Sequence, residues 1–237
     1  MLKEAIILAG GFGTRLQIVV NDVPKPMAPV NNEPFLNYIF DYLKHYQIEH
    51  VVLSTGYLAD KISEYYKDEY QGIKISYTKE ETPLGTGGGI RLAMEKCHTK
   101  HVLVLNGDSF FDVNVSTHYQ NHVSKKSDCT LALRKVDNAA RYGTIVLGNE
   151  DAIVTFKEKD SIEQAGLING GVYILNRELY LNKTEANTAF SIEKDFFEKR
   201  IMELDIFGFE YTGYFIDIGI PEDYKKVQDD FKNFKYK

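Results

Sequence analysis

The chain has only two cysteines, Cys97 and Cys129, among 237 residues, and they stand in no metal-type spacing. That sets aside a zinc-type centre built on cysteine. The amino terminus has neither a long apolar core nor a small-residue cleavage site, so no signal peptide is read and a reducing cytoplasm is the expected setting. No apolar run approaches the length of a membrane span, which excludes an anchor of that kind. Positive charge is also in short supply: 28 Lys and Arg face 34 Asp and Glu, giving a net charge of −6. A nucleic-acid binder usually needs a basic face to neutralise phosphates, so that class is set aside as well. Any anion bound here must meet local positive charge. Linkers, internal repeats and low-complexity tracts are absent too, and one domain over residues 1–237 is the economical reading.

What the chain does contain is enough apolar sequence, 43%, to bury a full core. Short apolar runs alternate with amphipathic stretches through the first half: "EAIILA" (4–9), "PFLNYIFDYLKHY" (34–46), "HVVLST" (50–55), "LADKISEYYKDEY" (58–70), "IKISYT" (73–78), "IRLAMEKC" (90–97) and "HVLVLN" (101–106). Strands apolar on both faces, separated by helices, predict an α/β fold with a Rossmann-like, doubly wound, mostly parallel sheet. The second half changes texture. "DCTLALRKV" (128–136), "YGTIVL" (142–147), "AIVTFKEK" (152–159) and "GLINGGVYIL" (166–175) read as strands joined by short turns, so the sheet should become mixed there. A helix is expected around 190–203, then strands in "IFGFEY" and "GYFIDIG", then a closing helix opened by Pro221 and Glu222.

The first strand runs into Gly10, Gly11 and Gly13, then Arg15. Bare backbone after a strand of an open α/β sheet suits close approach to phosphate oxygens. Two familiar phosphate loops fail residue by residue. The dinucleotide pattern needs Gly or Ala where Leu16 stands, and the Walker pattern needs Gly-Lys-Ser/Thr where Gly13-Thr14-Arg15 stands. The failed fingerprint counts against a nicotinamide-dependent oxidoreductase. Arg15 and Lys25, the latter held between Pro24 and Pro26, instead offer a forked and a point charge for a polyphosphate.

The string Leu8 to Leu16, followed by Pro24-Lys25-Pro26, resembles the amino-terminal signature of the sugar-phosphate nucleotidylyltransferases. The resemblance continues through "PLGTGGGI" (83–90), "LNGDSFFDV" (105–113), "FKEK" (156–159), "NGGVYI" (169–174) and "FIDIGIPEDY" (215–224), nearly the whole chain. Within the family, "DVPKPMAPVNNEPFLNYIFDYL", "TPLGTGGGIRLA" and "GYFIDIGIPEDY" are most similar to the bacterial D-glycero-D-manno-heptose 1-phosphate guanylyltransferases, and mannose-1-phosphate guanylyltransferases share much of this wording.

The resemblance implies the nucleotide-diphospho-sugar transferase type of fold, with residues 1–113 as the nucleotide half and 114–237 as the sugar-phosphate half. It implies transfer of a nucleotidyl group from GTP to a sugar 1-phosphate, releasing pyrophosphate, with Mg²⁺ as cofactor and a product destined for surface polysaccharide. Such a site needs alignment of two polyanions rather than a protein nucleophile. The implied nucleotide contacts are Leu8, Ala9, Gly10, Gly11, Gly13, Thr14, Arg15, Lys25, Glu80, Pro83, Gly85, Thr86, Gly88 and Asp108. Asp108 and Asp217 occupy the metal-ligand positions, and Arg15 and Lys25 complete the catalytic set. Glu80, or neighbouring Glu81, is the candidate reader of the base edge. For the sugar phosphate the matching positions are Asn106, Gly143, Glu158, Lys159 and Asn169. Here Asp160 follows Glu158-Lys159 where relatives have proline. No nucleic acid or membrane partner is expected, and a homo-oligomer is left open. The histidine pairs His98/His101 and His118/His122 mimic metal spacing, but nothing else completes such a site. Two other readings stay open: the same chemistry on another base or sugar (UTP or dTTP; mannose, glucose or a muramic-type phosphate), and a catalytically silent nucleotide-sugar-binding regulatory subunit.

Overall fold

β1 (Glu4–Ala9) shows why the molecule is layered: Ala5, Ile7 and Ala9 project into one apolar cluster while Ile6 projects into another on the opposite face. A strand of this kind is stable only with cover on both sides. The computed structural model describes residues 1–11, 22–140, 142–157 and 164–237. The chain continues through a 3-10 turn at Lys25–Met27, a ribbon of β2 (Pro29–Val30) and β3 (Glu33–Pro34), then α1 (Phe35–His45), β4 (His50–Thr55), α2 (Ala59–Tyr66), β5 (Glu69–Tyr70), β6 (Ile73–Lys79), α3 (Gly85–Met94) and β7 (His101–Asn106). The second half adds β8 (Ser109–Phe111), α4 (Val115–Ser124), β9 (Cys129–Val136), β10 (Thr144–Leu147), β11 (Ile153–Lys157) and β12 (Gly166–Asn176). It closes with α5 (Arg177–Lys183), a π-helical turn at Ile192–Glu198, β13 (Ile206–Glu210), β14 (Phe215–Asp217) and α6 (Pro221–Asp230).

Among the described residues one sheet runs in the order β11-β10-β12-β7-β1-β4-β6-β5, with β9 joined to β12 and β13 to β9. β7, β1, β4 and β6 are mutually parallel. β12 enters antiparallel to β7, and β9 antiparallel to β12, so the sheet is mixed in its second half, as the change of texture predicts. It is a Rossmann-like, doubly wound α/β fold. From β1 the chain moves outward to β4 and β6, then crosses back to β7 on the other side of β1. The order reverses there, and the carboxyl ends of β1 and β7 frame a crevice.

The two faces have different cover. α1, α2 and α6 pack Phe35, Tyr38, Tyr42, Ile62, Tyr66 and Val227 on one side. α3, α5 and the π-helical turn pack Ile90, Met94, Tyr180, Ile192, Phe196 and Phe197 on the other. Several boundaries differ from the sequence expectation. α3 begins at Gly85, so the glycine cluster forms its first turns instead of preceding it. α4 and α5 were not anticipated; each starts at an asparagine, Asn114 or Asn176, whose side chain accepts the backbone N–H of Thr117 or Leu179.

Two polar clusters lie away from the crevice. At the amino ends of the strands, buried Glu4 faces His50 Nδ1 at 2.9 Å and accepts from the N–H of His98 and the hydroxyl of Thr99, both at 2.7 Å. Burial alone would raise this carboxyl, but the bonds from His50, Thr99 and His98 outweigh it and hold it at about 2. Under α4, His118 Nδ1 lies 3.0 Å from the Tyr211 hydroxyl and His122 Nδ1 lies 2.7 Å from that of Thr130, while both Nε2 atoms are buried without a partner. Burial lowers both imidazoles to about 3.

These shifts fix a pH dependence. A histidine lowered in the folded state is fully stabilising above its unfolded value near 6.5 and loses that contribution as pH falls toward 3. Each such proton adds a slope of about 1.4 kcal/mol per pH unit. Glu4 adds a further loss below 4.5. Urea unfolding of the wild type should therefore show a midpoint that falls steadily from pH 7 to pH 4, and the double variant H118Q/H122Q should show a much flatter profile over that interval.

Candidate active site

At the carboxyl edge of the sheet three charged side chains converge. Lys25 Nζ lies 2.5 Å from Asp108 Oδ2 and 3.4 Å from Asp217 Oδ1. The lysine side chain is only 12% exposed, against 39% and 28% for the two aspartates, so the cation is sunk beneath carboxylates that face outward. Such a part-buried lysine is held in place by charge on two sides. The triad carries one net negative charge.

Local structure explains each position. Pro24 and Pro26 bracket Lys25 in a 3-10 turn closed by Met27 N–H on Pro24 O at 2.7 Å, which fixes the backbone from which the lysine side chain projects. Asp108 follows β7 after Asn106 and Gly107; Gly107 N–H donates to Leu8 O at 2.9 Å, and a Cβ at Gly107 would come within 2.6 Å of that oxygen. Only glycine lets β7 turn so close to β1. Asp217 ends β14, which pairs with β8 so that Asp217 stands opposite Ser109, and Ile218 N–H donates to Asp108 O at 3.0 Å. Gly219 N–H donates to Asp217 Oδ1 at 2.7 Å and orients that carboxylate.

The expected nucleotide positions are distributed around this centre. Ala9 is buried, Leu8 and Gly10 are half-buried and Gly11 is exposed at the mouth of the crevice. Gly13, Thr14 and Arg15 lie outside the described residues, as do Glu158 and Lys159. Glu80 sits under Gly10: a Cβ on Gly10 would be 3.3 Å from Glu80 Oε1, and one on Gly89 would be 2.7 Å from it. The other oxygen, Oε2, accepts Leu84 N–H at 2.8 Å, closing the turn into α3. Burial pushes the Glu80 carboxyl up, partly offset by that N–H. Pro83 and Thr86 are exposed. Gly85 has a φ of +69°, and Cβ atoms on Gly85, Gly87 and Gly88 would strike Phe190 O, the Phe190 ring and Thr188 O at 2.6, 2.1 and 2.5 Å. The glycines are bare on the side where the 188–190 segment lies against them. Thr86 Oγ1 accepts Ile192 N–H at 3.0 Å.

Of the sugar-phosphate candidates, Asn106, Gly143 and Asn169 are among the described residues and lie on or beside β7, β10 and β12. β12 shifts register between Asn169 and Tyr173, a bulge containing Gly171 at φ +73°. A Cβ at Gly171 would lie 2.5 Å from Asn106 Nδ2, so the bulge folds against the end of β7. Gly143 leads into β10, whose Thr144 pairs with Ile168, next to Asn169. Asn169 Nδ2 donates to the Tyr173 hydroxyl at 2.7 Å and to Glu193 Oε1 at 2.6 Å, while its Oδ1 accepts Gly171 N–H at 3.0 Å. Sequence reasoning missed Tyr173 and Glu193. Tyr173 lies within the quoted "NGGVYI" string but was given no role, and Glu193 lies outside every quoted motif; the bulge and the π-helical turn meet only in the folded chain.

Fold and site together define an enzyme that manipulates a phosphorylated ligand at a strand-end crevice, and the whole-chain comparisons agree. The nucleotidyl transferase family model matches residues 4–233, and the chain belongs to that family. It is 45% identical to the D-glycero-alpha-D-manno-heptose 1-phosphate guanylyltransferase of Aneurinibacillus thermoaerophilus over 98% of this chain and 99% of that protein. It is 43% identical to the enzyme of the same name from Campylobacter jejuni, over 93% and 96%. The structure of HddC from Yersinia pseudotuberculosis complexed with GMP-PN superposes with a TM-score of 0.85 at 34% identity, covering 98% of this chain and all of that one. The fold is therefore of the nucleotide-diphospho-sugar transferase type. Among the described residues no helix is long and apolar enough to cross a membrane.

One substitution probes the geometry directly. A Cβ on Gly219 would lie 2.8 Å from both Asp217 Oδ1 and Lys25 Nζ. Gly219→Ala should therefore push the lysine and carboxylate apart, lowering turnover about tenfold or more, with the thermal unfolding midpoint within a few degrees of wild type.

Proposed function

We propose that the protein transfers the guanylyl group of GTP to D-glycero-α-D-manno-heptose 1-phosphate, giving a GDP-heptose and pyrophosphate. The observation that carries the reading is the convergence of Lys25 on Asp108 and Asp217 at the switch point of the sheet. Similarity over almost the full length of two heptose 1-phosphate guanylyltransferases supports the choice of base and sugar. In the reaction an oxygen of the sugar phosphate bonds to the α-phosphorus of GTP as the bond from that phosphorus to the bridging oxygen of pyrophosphate breaks.

Asp108 and Asp217 are the residues that would hold Mg²⁺. Their carboxylates already converge on one cationic group, Lys25 Nζ, and two carboxylates suit an ion that fills its remaining positions with waters and substrate oxygens. Bound there, Mg²⁺ would neutralise charge on the triphosphate. The protein supplies the rest. Lys25 presents its ammonium to the α-phosphate or the attacking oxygen, and Arg15 meets the leaving pyrophosphate. Gly10 and Gly11, with Gly13 and Thr14, bring backbone N–H groups to the phosphates, and Leu8, Ala9, Pro83, Gly85, Thr86 and Gly88 border the nucleoside. Glu80, with one oxygen committed to Leu84, has its second to offer guanine, and exposed Glu81 stands beside it. Asn106, Gly143, Glu158, Lys159 and Asn169 form the sugar-phosphate side. On this reading residues 1–113 hold the nucleotide and 114–237 the sugar phosphate within a single domain, acting in the cytoplasm, where the two buried free thiols stay reduced.

Offering GTP, ATP, UTP and dTTP with heptose, mannose and glucose 1-phosphates, and following pyrophosphate release, tests the reading. GTP with the heptose phosphate should give the highest kcat/KM, tenfold or more above the other triphosphates; a preference for UTP or dTTP would reject the guanine assignment. Asp108→Asn and Asp217→Asn should each lower turnover by well over tenfold, a loss of about 2–4 kcal/mol of charge stabilisation.

Lys25→Ala is expected to reduce kcat far more than it raises KM for GTP, because the charge it meets shifts during transfer. Steady-state kinetics at saturating sugar phosphate, with nucleotide varied, checks this.

A further inference from the structure

β8 and β14 form a two-stranded ribbon apart from the main sheet, with three residues on each side. Both carboxylates assigned to the metal stand at one end of it: Asp217 is opposite Ser109, and the carbonyl of Asp108, just before Ser109, accepts Ile218 N–H. A ribbon this short has little stability of its own, so its place is set by what packs on it. Successive side chains of β8 face opposite ways. Phe111 lies against β12, where a Cβ on Gly170 would come within 2.3 Å of its ring. Phe110 turns the other way, into the rings of segment 231–237, with its centroid 5.5 Å from that of Phe231 and 5.2 Å from that of Phe234.

The same segment grips the far end of the ribbon. Asp112 follows β8, and its N–H donates to Tyr214 O at 2.8 Å, which carries the pairing past Phe215. Its carboxylate is sunk, 16% exposed, and both oxygens are taken: Oδ1 accepts the Tyr236 hydroxyl and Oδ2 meets Lys235 Nζ at 2.6 Å. Burial and the Asp112 carboxylate hold the Tyr236 phenol well above its usual range, so it stays a donor at neutral pH. On its other side the segment holds α1 and the ribbon before it. Tyr236 packs edge-on against Tyr42 with centroids 5.2 Å apart, and Lys237 pairs with Glu33 at 2.9 Å. The ribbon that carries Asp108 and Asp217 is thus tied through Asp112 and Tyr236 to the core that α1 covers.

We propose that Asp112 and Tyr236 are positioning residues for the metal-binding pair: their hydrogen bond fixes the β8–β14 ribbon so that the Asp108 and Asp217 carboxylates converge. Neither residue touches a reacting atom. The proposal rests on the metal role given to Asp108 and Asp217 above, and it gives segment 231–237 a part in the reaction beyond its packing.

The test uses the whole enzyme, with Mn²⁺ as the probe, titrated by electron paramagnetic resonance with saturating GTP and no sugar phosphate, against a Mn²⁺–GTP baseline without enzyme. Tyr236→Phe keeps the ring and removes only the hydroxyl, so its thermal midpoint should stay within a few degrees of wild type. Tyr236→Phe and Asp112→Ala should each weaken Mn²⁺ binding about tenfold and raise by a similar factor the Mg²⁺ concentration that gives half-maximal turnover, while KM for the sugar phosphate stays within about twofold. The double variant should be no worse than Asp112→Ala alone, since the two act as one unit. Ile62→Val, a core change in α2, should lower the thermal midpoint and leave Mn²⁺ binding at the wild-type value. Unchanged Mn²⁺ affinity in Tyr236→Phe, additive effects of the two substitutions, or an equal loss in Ile62→Val would overturn the inference. If Asp108→Asn bound Mn²⁺ as tightly as wild type, the metal assignment itself would fall instead, so the two failures are told apart.

Discussion

The ion-pair centre of Lys25, Asp108 and Asp217 is the constraint on which the other arrangements depend. Its three members come from the loop after β1, the end of β7 and the end of β14, separated by 83 and 192 residues along the chain. They meet only if β1 and β7 are neighbours and if β14 is pinned beside β8. Two like charges brought this close would repel, and the lysine between them is what makes the approach tolerable before substrate arrives. The local geometry serves that end. Prolines stiffen the turn that carries Lys25, Gly107 lets β7 approach β1, and Gly219 leaves room for the lysine and orients Asp217.

A doubly wound sheet is well suited to this, because its strands need cover on both faces and so keep their ends as the exposed edge. Residues with a period of two along β1 fill both apolar clusters, leaving function to the loops at the carboxyl end. β12 then does what a purely parallel sheet could not. It is 11 residues long, pairs with β7 along its second half and with β10 near its start, and its bulge sets Gly171 against the Asn106 side chain.

Much of this was legible in the sequence, for identifiable reasons. Strands apolar on both faces and α1, with its strong amphipathic stripe, carry their signal locally, and so do Asp108 and Asp217, each at the end of an apolar run. The start of α3 was not legible, because four glycines in five residues read as a loop; packing against Thr188 and Phe190 holds them in the helix. α4 and α5 lack long apolar stripes, and their asparagine caps are weak signals alone. The neighbours of Asn169 were hidden for another reason: Glu193 lies 24 residues away, and the separation carries no period that sequence inspection could use.

The segment from Thr188 to Glu193 touches two places at once. Phe190 and Thr188 lie against the α3 glycines, Ile192 is bonded to Thr86, and Glu193 reaches Asn169 on the β12 bulge. Six residues thus belong to both flanks of the crevice. The two flanks are consequently not interchangeable modules. A chimera that imports the β12 bulge of a relative without its matching segment would mate a foreign surface with native α3, and one that imports the segment alone would disturb the glycines. Change in the acceptor of this scaffold must therefore proceed by paired substitutions, with the small side chains at 85, 87 and 88 setting how far the paired segment can be altered.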